Sequence, residues 1–169
     1  MKSELIEQAR DLPDVVERAN VARQYVQREI LAALSTNNAF TAIAFVGGTC
    51  LRFLHTLKRY SEDLDFSVED PREYRPDAWT KAIRLRLFHQ GFTPEVSWRA
   101  RRAVDIGWIK IPGLLHELEA AAPREQRLAI KIEADKNPPA GARCETTALT
   151  VPQLMAIRHY DLPSLMAGK

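Results

Sequence analysis

Two short stretches carry side chains whose types and spacing suit phosphate and metal chemistry. Val46-Gly47-Gly48-Thr49 closes the apolar run Ala42–Val46 and opens a helical pattern. A strand that breaks at a glycine pair and restarts as a helix presents backbone N–H groups at the helix N-terminus, where the dipole favours an anion. Glycine leaves room for that anion because no Cβ stands in its way. Gly47, Gly48 and Thr49, the last with a hydroxyl in the first turn, are candidate nucleotide-phosphate ligands. An ordinary strand-to-helix turn uses glycines in the same way, so the turn decides nothing alone.

Thirteen residues separate Thr49 from Asp63-Leu64-Asp65-Phe66. On a strand, Asp63 and Asp65 project from one face, and Leu64 and Phe66 enter the core from the other. Neighbouring carboxylates repel unless a countercharge is supplied. A divalent cation supplies it, and Mg²⁺ (or Mn²⁺) prefers carboxylate oxygens together with substrate phosphates. The alternative is a solvated acidic strand edge.

A third carboxylate is offered by Ile130-Lys131-Ile132-Glu133-Ala134-Asp135. Glu133 on a neighbouring strand could take the proton of an attacking hydroxyl and hold metal. Asp135 shares its face and is the substitute. In the competing reading this is a surface strand of alternating charge, with Lys131 as the partner of Glu133. Arg52 and Arg59 are candidates to neutralise phosphates, and each could equally pair with an acid such as Glu62. Lys169 offers a compact charge for a triphosphate, against its reading as a frayed chain end. Arg99, Arg101 and Arg102, beside Trp98, form the one basic cluster. A solvated loop is its commoner reading; RNA held by charge and stacking is the other. None of the four histidines has metal-ligand spacing.

The elements that must position these residues follow from periodicity. Val15, Ala19, Ala22, Val26, Ile30 and Ala33 recur at helical steps, predicting a helix over Pro13–Leu34 with Pro13 and Asp14 in its first turn. Ala42–Val46 reads as a strand buried on both faces. Thr49–Lys58 reads as a helix with Cys50, Phe53, Leu54 and Leu57 on one side, and Leu64–Val68 as a strand. Pro76–His89 reads as a helix closed by Gly91. Strands are expected near Thr93–Trp98 and Ile106–Ile111, then a short piece ending near Glu119 and a connector over 120–123. Leu128–Asp135 alternates as a strand. Helices are expected over Pro152–Arg158 and after Pro163. The class is α+β: a mixed sheet flanked by helices, with an N-terminal helical segment. The 169 residues fit one domain. It divides into an N-terminal helical segment over 1–38, a core over 39–150, and the start of an incomplete C-terminal helical part over 151–169.

Composition bounds the remaining choices. Hydrophobic residues at 46% and charged residues at 27% are ordinary for a folded globule and exclude a disordered chain. A formal net charge of +2 leaves any nucleic-acid contact to a local patch. Two cysteines without CxxC spacing argue against a zinc site and a disulfide framework. No apolar run suits a membrane helix and the N-terminus has no signal-peptide core, so a soluble, cytoplasmic protein is expected.

At these residues the sequence resembles the AbiEii/AbiGii toxin family, within the DNA polymerase β-like nucleotidyltransferases. The matching pieces are Phe45–Phe66, Ile130–Ala142 and His159–Lys169. The resemblance implies a polymerase β-like core and Mg²⁺-dependent transfer of a nucleoside monophosphate from an NTP to a hydroxyl, often of RNA such as a tRNA end. It further implies a toxin or phage-defence role beside a separate antitoxin. Its motif positions fall on Gly48, Thr49, Ser61, Asp63, Asp65, Glu133 and Lys169. Members continue past the Gly-Lys step with further helices and another acid, so the resemblance implies a C-terminally truncated chain. The expected function is therefore a nucleotidyltransferase. A catalytically dead remnant that still binds nucleotide, RNA or antitoxin is the alternative, and a metal-dependent phosphodiesterase is disfavoured because no histidine neighbours the acidic pair.

Overall fold

The helical stripe from Val15 onward becomes the longest helix of the chain. In the computed structural model, which describes residues 1–55, 57–120 and 126–167, this helix is α2, Val15–Thr36, and it follows α1, Lys2–Arg10. Asp14 is its N-cap rather than part of its first turn: the carboxylate accepts from the Val16 N–H at 2.8 Å, satisfying one of the donors a helix start leaves open. Ala22, Val26 and Ile30 are fully buried, and so are Leu31 and Ala32 on the other side of the same turns. The C-terminal half of α2 is wrapped all round, packed on the sheet and on a second long helix.

That sheet has seven strands. After a 3₁₀ turn at Ala39–Thr41 come β1 (Ile43–Val46), α3 (Gly47–His55), β2 (Leu64–Val68) and α4 (Pro76–His89). A hairpin of β3 (Glu95–Arg99) and β4 (Val104–Pro112) leads through α5 (Leu114–Glu117) to β5 (Arg127–Asp135). Then β6 (Cys144–Leu149), β7 (Met155–Tyr160) and α6 (Leu162–Ala167) complete the described chain. The strand order is β3-β4-β5-β2-β1-β7-β6. β2 runs parallel to β5, and β1 parallel to β7, while the remaining pairs are antiparallel. The α+β class with a mixed sheet flanked by helices is what the chain forms.

The two faces of the sheet differ sharply. Leu64, Phe66, Ile130, Ile132 and Ala134 are buried on one face, covered by the helical layer to which α2 and α4 belong. Alternation then sends Asp65, Ser67, Glu133 and Asp135 to the opposite face. Gly91, at φ +91°, ends α4 as its sequence position implies.

Several expectations need correction. The segment read as a helix over Pro152–Arg158 is instead the strand β7. Met155, Ile157 and His159 are buried at alternate positions, and the free edge of β1 draws the segment into parallel pairing at Phe45 and His159. Local helix propensity is a weak preference beside such a tertiary partner. β6, which pairs with β7, had no counterpart in the sequence reading, and α1 lies within the segment read as helical over 1–38 without having been delimited there. α3 ends at His55, leaving Leu57 beyond it and 36% exposed. The connector read over 120–123 lies, after Ala120, outside the described residues.

Candidate active site

The site begins at the junction of β1 and α3. α3 starts directly at Gly47, so the first-turn N–H groups, which have no intrahelical acceptor, open at the end of a central strand. Gly47 has φ +75°, and a Cβ there would lie 2.9 Å from both Cβ and Cγ of Asp65. A Cβ on Gly48 would meet Ser61 Oγ at 3.1 Å. The glycine pair is therefore the surface on which the acidic segment packs.

Thr49 is fully buried, and its hydroxyl donates to the main-chain carbonyl of Asp63. In this arrangement its side chain joins the glycine turn to the start of β2. Gln27, a buried polar residue of α2, backs the same segment: its Nε2 donates to the carbonyls of Ser61 at 3.0 Å and Glu62 at 3.1 Å. Arg52 does not line the cavity described below. Its guanidinium donates to the carbonyls of Leu57 and Lys58 and to Gln24 Oε1, and it lies 3.7 Å over the Tyr60 ring. Arg59 is exposed. The motif loop is thus held from below by α2 and α3. Gln27 gave no signal in the sequence, where it is one polar residue within a helical stripe.

Asp65 and Glu133 are direct register partners on the parallel strands β2 and β5. They face a cavity of about 610 Å³ lined also by Gly47, Asp135, Tyr160 and Leu165, within the range of small-molecule sites. Asp63 lies just ahead of β2 and does not line it. Asp135, in register with Ser67, accepts from the Asn137 N–H at 2.9 Å. Burial pushes the Asp65 carboxyl up to about 6, reinforced by Glu133 and Asp63 and opposed by Lys131. Asp63 is shifted upward too, by burial first, against the pull of Lys131. Lys131 Nζ is ion-paired with Glu133 Oε1 at 2.5 Å, the contact of the competing surface-strand reading. That contact holds the Lys131 ammonium above its ordinary range.

A carboxylate whose proton affinity is raised by burial and by like charges is a group poised to accept a cation. The donor set is all oxygen, as Mg²⁺ or Mn²⁺ requires. As the side chains stand, no three acidic, histidine or cysteine groups among the described residues are gathered closely enough to hold an ion. Lys169 lies outside the described residues.

The basic cluster sits at the β3–β4 turn, where Arg99, Arg101 and Arg102 are exposed. The turn is anchored by the buried Asp105, which accepts from the Arg101 N–H at 2.8 Å, from Tyr74 at 3.1 Å and from Lys136 at 2.8 Å. Trp98 does not join the cluster as a stacking platform. It lies across Gly107, where a Cβ would fall 2.6 Å from its ring, and packs against the core.

A mixed sheet with a strand–Gly-Gly–helix junction facing paired carboxylates defines a nucleotidyltransferase-like fold, and comparison with solved structures agrees. A protein from H. pylori assigned as a nucleotidyltransferase superposes with a TM-score of 0.55 at 15% identity, over 88% of this chain and 56% of that one. The JHP933 protein from Helicobacter pylori gives the same score and identity, over 88% and 55%. The chain therefore spans just over half the length of these structures. No curated protein sequence matches it. The family model described as "Nucleotidyl transferase AbiEii toxin, Type IV TA system" matches residues 29–169, and the chain belongs to that family. That description is of nucleotidyl transferase toxins of type IV toxin–antitoxin systems. No helix among the described residues is long and apolar enough to cross a membrane.

Proposed function

We propose that this chain binds an NTP with Mg²⁺ (or Mn²⁺) in the cavity between the Gly47 turn and the β2–β5 carboxylates. It transfers the nucleoside monophosphate to a hydroxyl acceptor, an RNA such as tRNA, as the toxin of a toxin–antitoxin or phage-defence pair. The observation that carries this reading is the in-register placement of Asp65 and Glu133 against the Gly47–Gly48 turn. Phosphates sit at the N–H groups of the α3 start, with Thr49 and Ser61 fixing the turn and Lys169 adding charge. A divalent cation held by Asp63, Asp65 and Glu133 would neutralise the triphosphate. Glu133 orients the acceptor hydroxyl and takes its proton as the oxygen attacks the α-phosphorus. The bond from that phosphorus to the α–β bridging oxygen breaks, and pyrophosphate leaves.

The test is incubation of the protein with each labelled NTP, Mg²⁺ and total RNA. Label entering RNA with release of pyrophosphate, lost in Asp65→Asn, is the expected result. NTP binding with no transfer to any RNA would assign the chain to the binding-only alternative. No NTP binding would overturn the transferase reading and leave only the RNA- or antitoxin-binding form of the alternative.

A further inference from the structure

Lys131 and Glu133 lie two apart on the same face of β5. Their side chains nevertheless meet at 2.5 Å, so that one carboxylate oxygen of Glu133 is taken by the lysine. Lys131 stands one step before the Leu64–Ile132 pair of the β2–β5 ladder, which sets it beside Asp63. It is the cation whose charge acts on all three carboxylates, Asp63, Asp65 and Glu133. Arg23 acts on Asp63 alone of the three and is paired with Glu62 at 3.7 Å. The Lys131–Glu133 pair is partly solvated, with side chains 27% and 35% exposed. Pairs in that position add little to stability and open easily.

We propose that Lys131 is the resident countercharge of the metal-free protein, a latch on Glu133 that a divalent cation must displace. With Glu133 bound to Lys131, the three carboxylates are not gathered around one point. Once the lysine lets go, Glu133 is free to turn toward Asp65, its register partner. Lys131 is thus a positioning residue: it keeps the acidic face folded without metal and competes with metal for one ligand. The proposal rests on the metal reading above.

The experiment is a double-mutant cycle on the full chain, using Mn²⁺ alone as the probe. Calorimetric affinity is measured for the wild type, Lys131→Met, Glu133→Gln and the double variant, and melting is recorded for all four in chelator. Lys131→Met is expected to bind Mn²⁺ roughly fivefold to tenfold more tightly, the coupling typical of residues sharing one ion-pair network. In the Glu133→Gln background the same change should alter affinity by less than about twofold. In chelator, Lys131→Met should melt below the wild type, and adding Glu133→Gln should restore much of that loss. Lys131→Gln serves in the same cycle if the methionine variant does not fold. Equal tightening in both backgrounds would show bulk charge rather than a latch and overturn the proposal. Unchanged or weaker binding in Lys131→Met would overturn it too. A wild type and Lys131→Met that both ignore Mn²⁺, with and without NTP, would instead overturn the metal reading beneath it.

Discussion

The carboxylate of Asp65 lies across Gly47 so closely that any side chain at the glycine would collide with it, the would-be Cβ falling 2.9 Å from Asp65 Cγ. The glycine also holds φ +75°, a conformation L-residues adopt at a cost of about 1–2 kcal/mol. Gly47→Ala should therefore do two things at once. It should lower the melting temperature by on the order of 5 °C, and it should displace Asp65 and abolish any stabilisation by Mg²⁺ with NTP. Gly48→Ala, whose Cβ meets the Ser61 side chain with Oγ at 3.1 Å and Cβ at 3.6 Å, should be milder in both. Thermal melts with and without Mg²⁺/NTP check the pair. Equal losses in the two variants would contradict the assigned role of the Asp65 contact.

Gln27 acts from the far side of the same loop. Replacing it with leucine keeps the volume but leaves the Ser61 and Glu62 carbonyls without the donor they share. Unmade buried hydrogen bonds cost about 1–3 kcal/mol. Gln27→Leu is expected to destabilise by that amount and to weaken NTP binding, although Gln27 does not line the cavity. Nucleotide titration of the folded variant is the measurement, and unaltered affinity would show that the loop needs no support from α2.

The exposed arginines of the β3–β4 turn make a separate prediction. If RNA is the acceptor and crosses this turn, changing Arg99, Arg101 and Arg102 to alanine should weaken binding. The slope of log affinity against log salt should fall by roughly 2, because three phosphates would no longer be neutralised by the protein. Stability should hardly change, because the turn is anchored by the Arg101 main chain and by Asp105. An identical salt slope in wild type and variant would place the RNA surface elsewhere.

What the sequence made legible was local. The glycine turn, the Asp63–Asp65 pair and the alternation that sets Glu133 opposite the core each fit within a few residues, and their periodicity is the signal that builds them. β7 was not legible, because Met155–Tyr160 becomes a strand only beside β1, more than a hundred residues earlier. β6 is half-exposed and has no continuous apolar side, so nothing marked it before β7 was placed. Within the site, the sequence offered Lys131 as an ordinary partner for Glu133, and that contact is present. Its nearness to Asp63 and Asp65 depends on the β2–β5 register, a long-range fact. The same holds for Gln27 and for Tyr160 on the cavity wall. The place of the Trp98 ring was not legible either, because only the fold reveals that Gly107 leaves a slot for it.

The acidity of Asp65 gives a pH signature with a definite sign. Its carboxyl titrates near 6 in the folded protein against an ordinary 3.8, so folding favours the protonated form. The groups facing it are Asp63 and Glu133, which raise it, and Lys131, which lowers it. A group raised on folding contributes stability at low pH and withdraws it as pH climbs through the folded value. Metal-free protein should therefore lose stability between about pH 4 and 6 from this group. A displacement of that size corresponds to about 3 kcal/mol at most, and solvent screening and neighbouring titrations reduce it to on the order of 2 kcal/mol. Asp65→Asn cannot ionise, so in chelator at pH 8 it should melt several degrees above the wild type. At pH 4, where the wild-type carboxyl is protonated, the gap should close. Adding Mg²⁺ with NTP at pH 8 should raise the wild type and leave Asp65→Asn unchanged, because bound ligand stabilises only the protein that can hold it. Melting curves at pH 4, 6 and 8, with and without Mg²⁺/NTP, test every part of this. A variant no more stable than wild type in chelator at pH 8 would mean that the burial of Asp65 carries no electrostatic penalty. A variant that responds to Mg²⁺/NTP as the wild type does would remove Asp65 from the metal site.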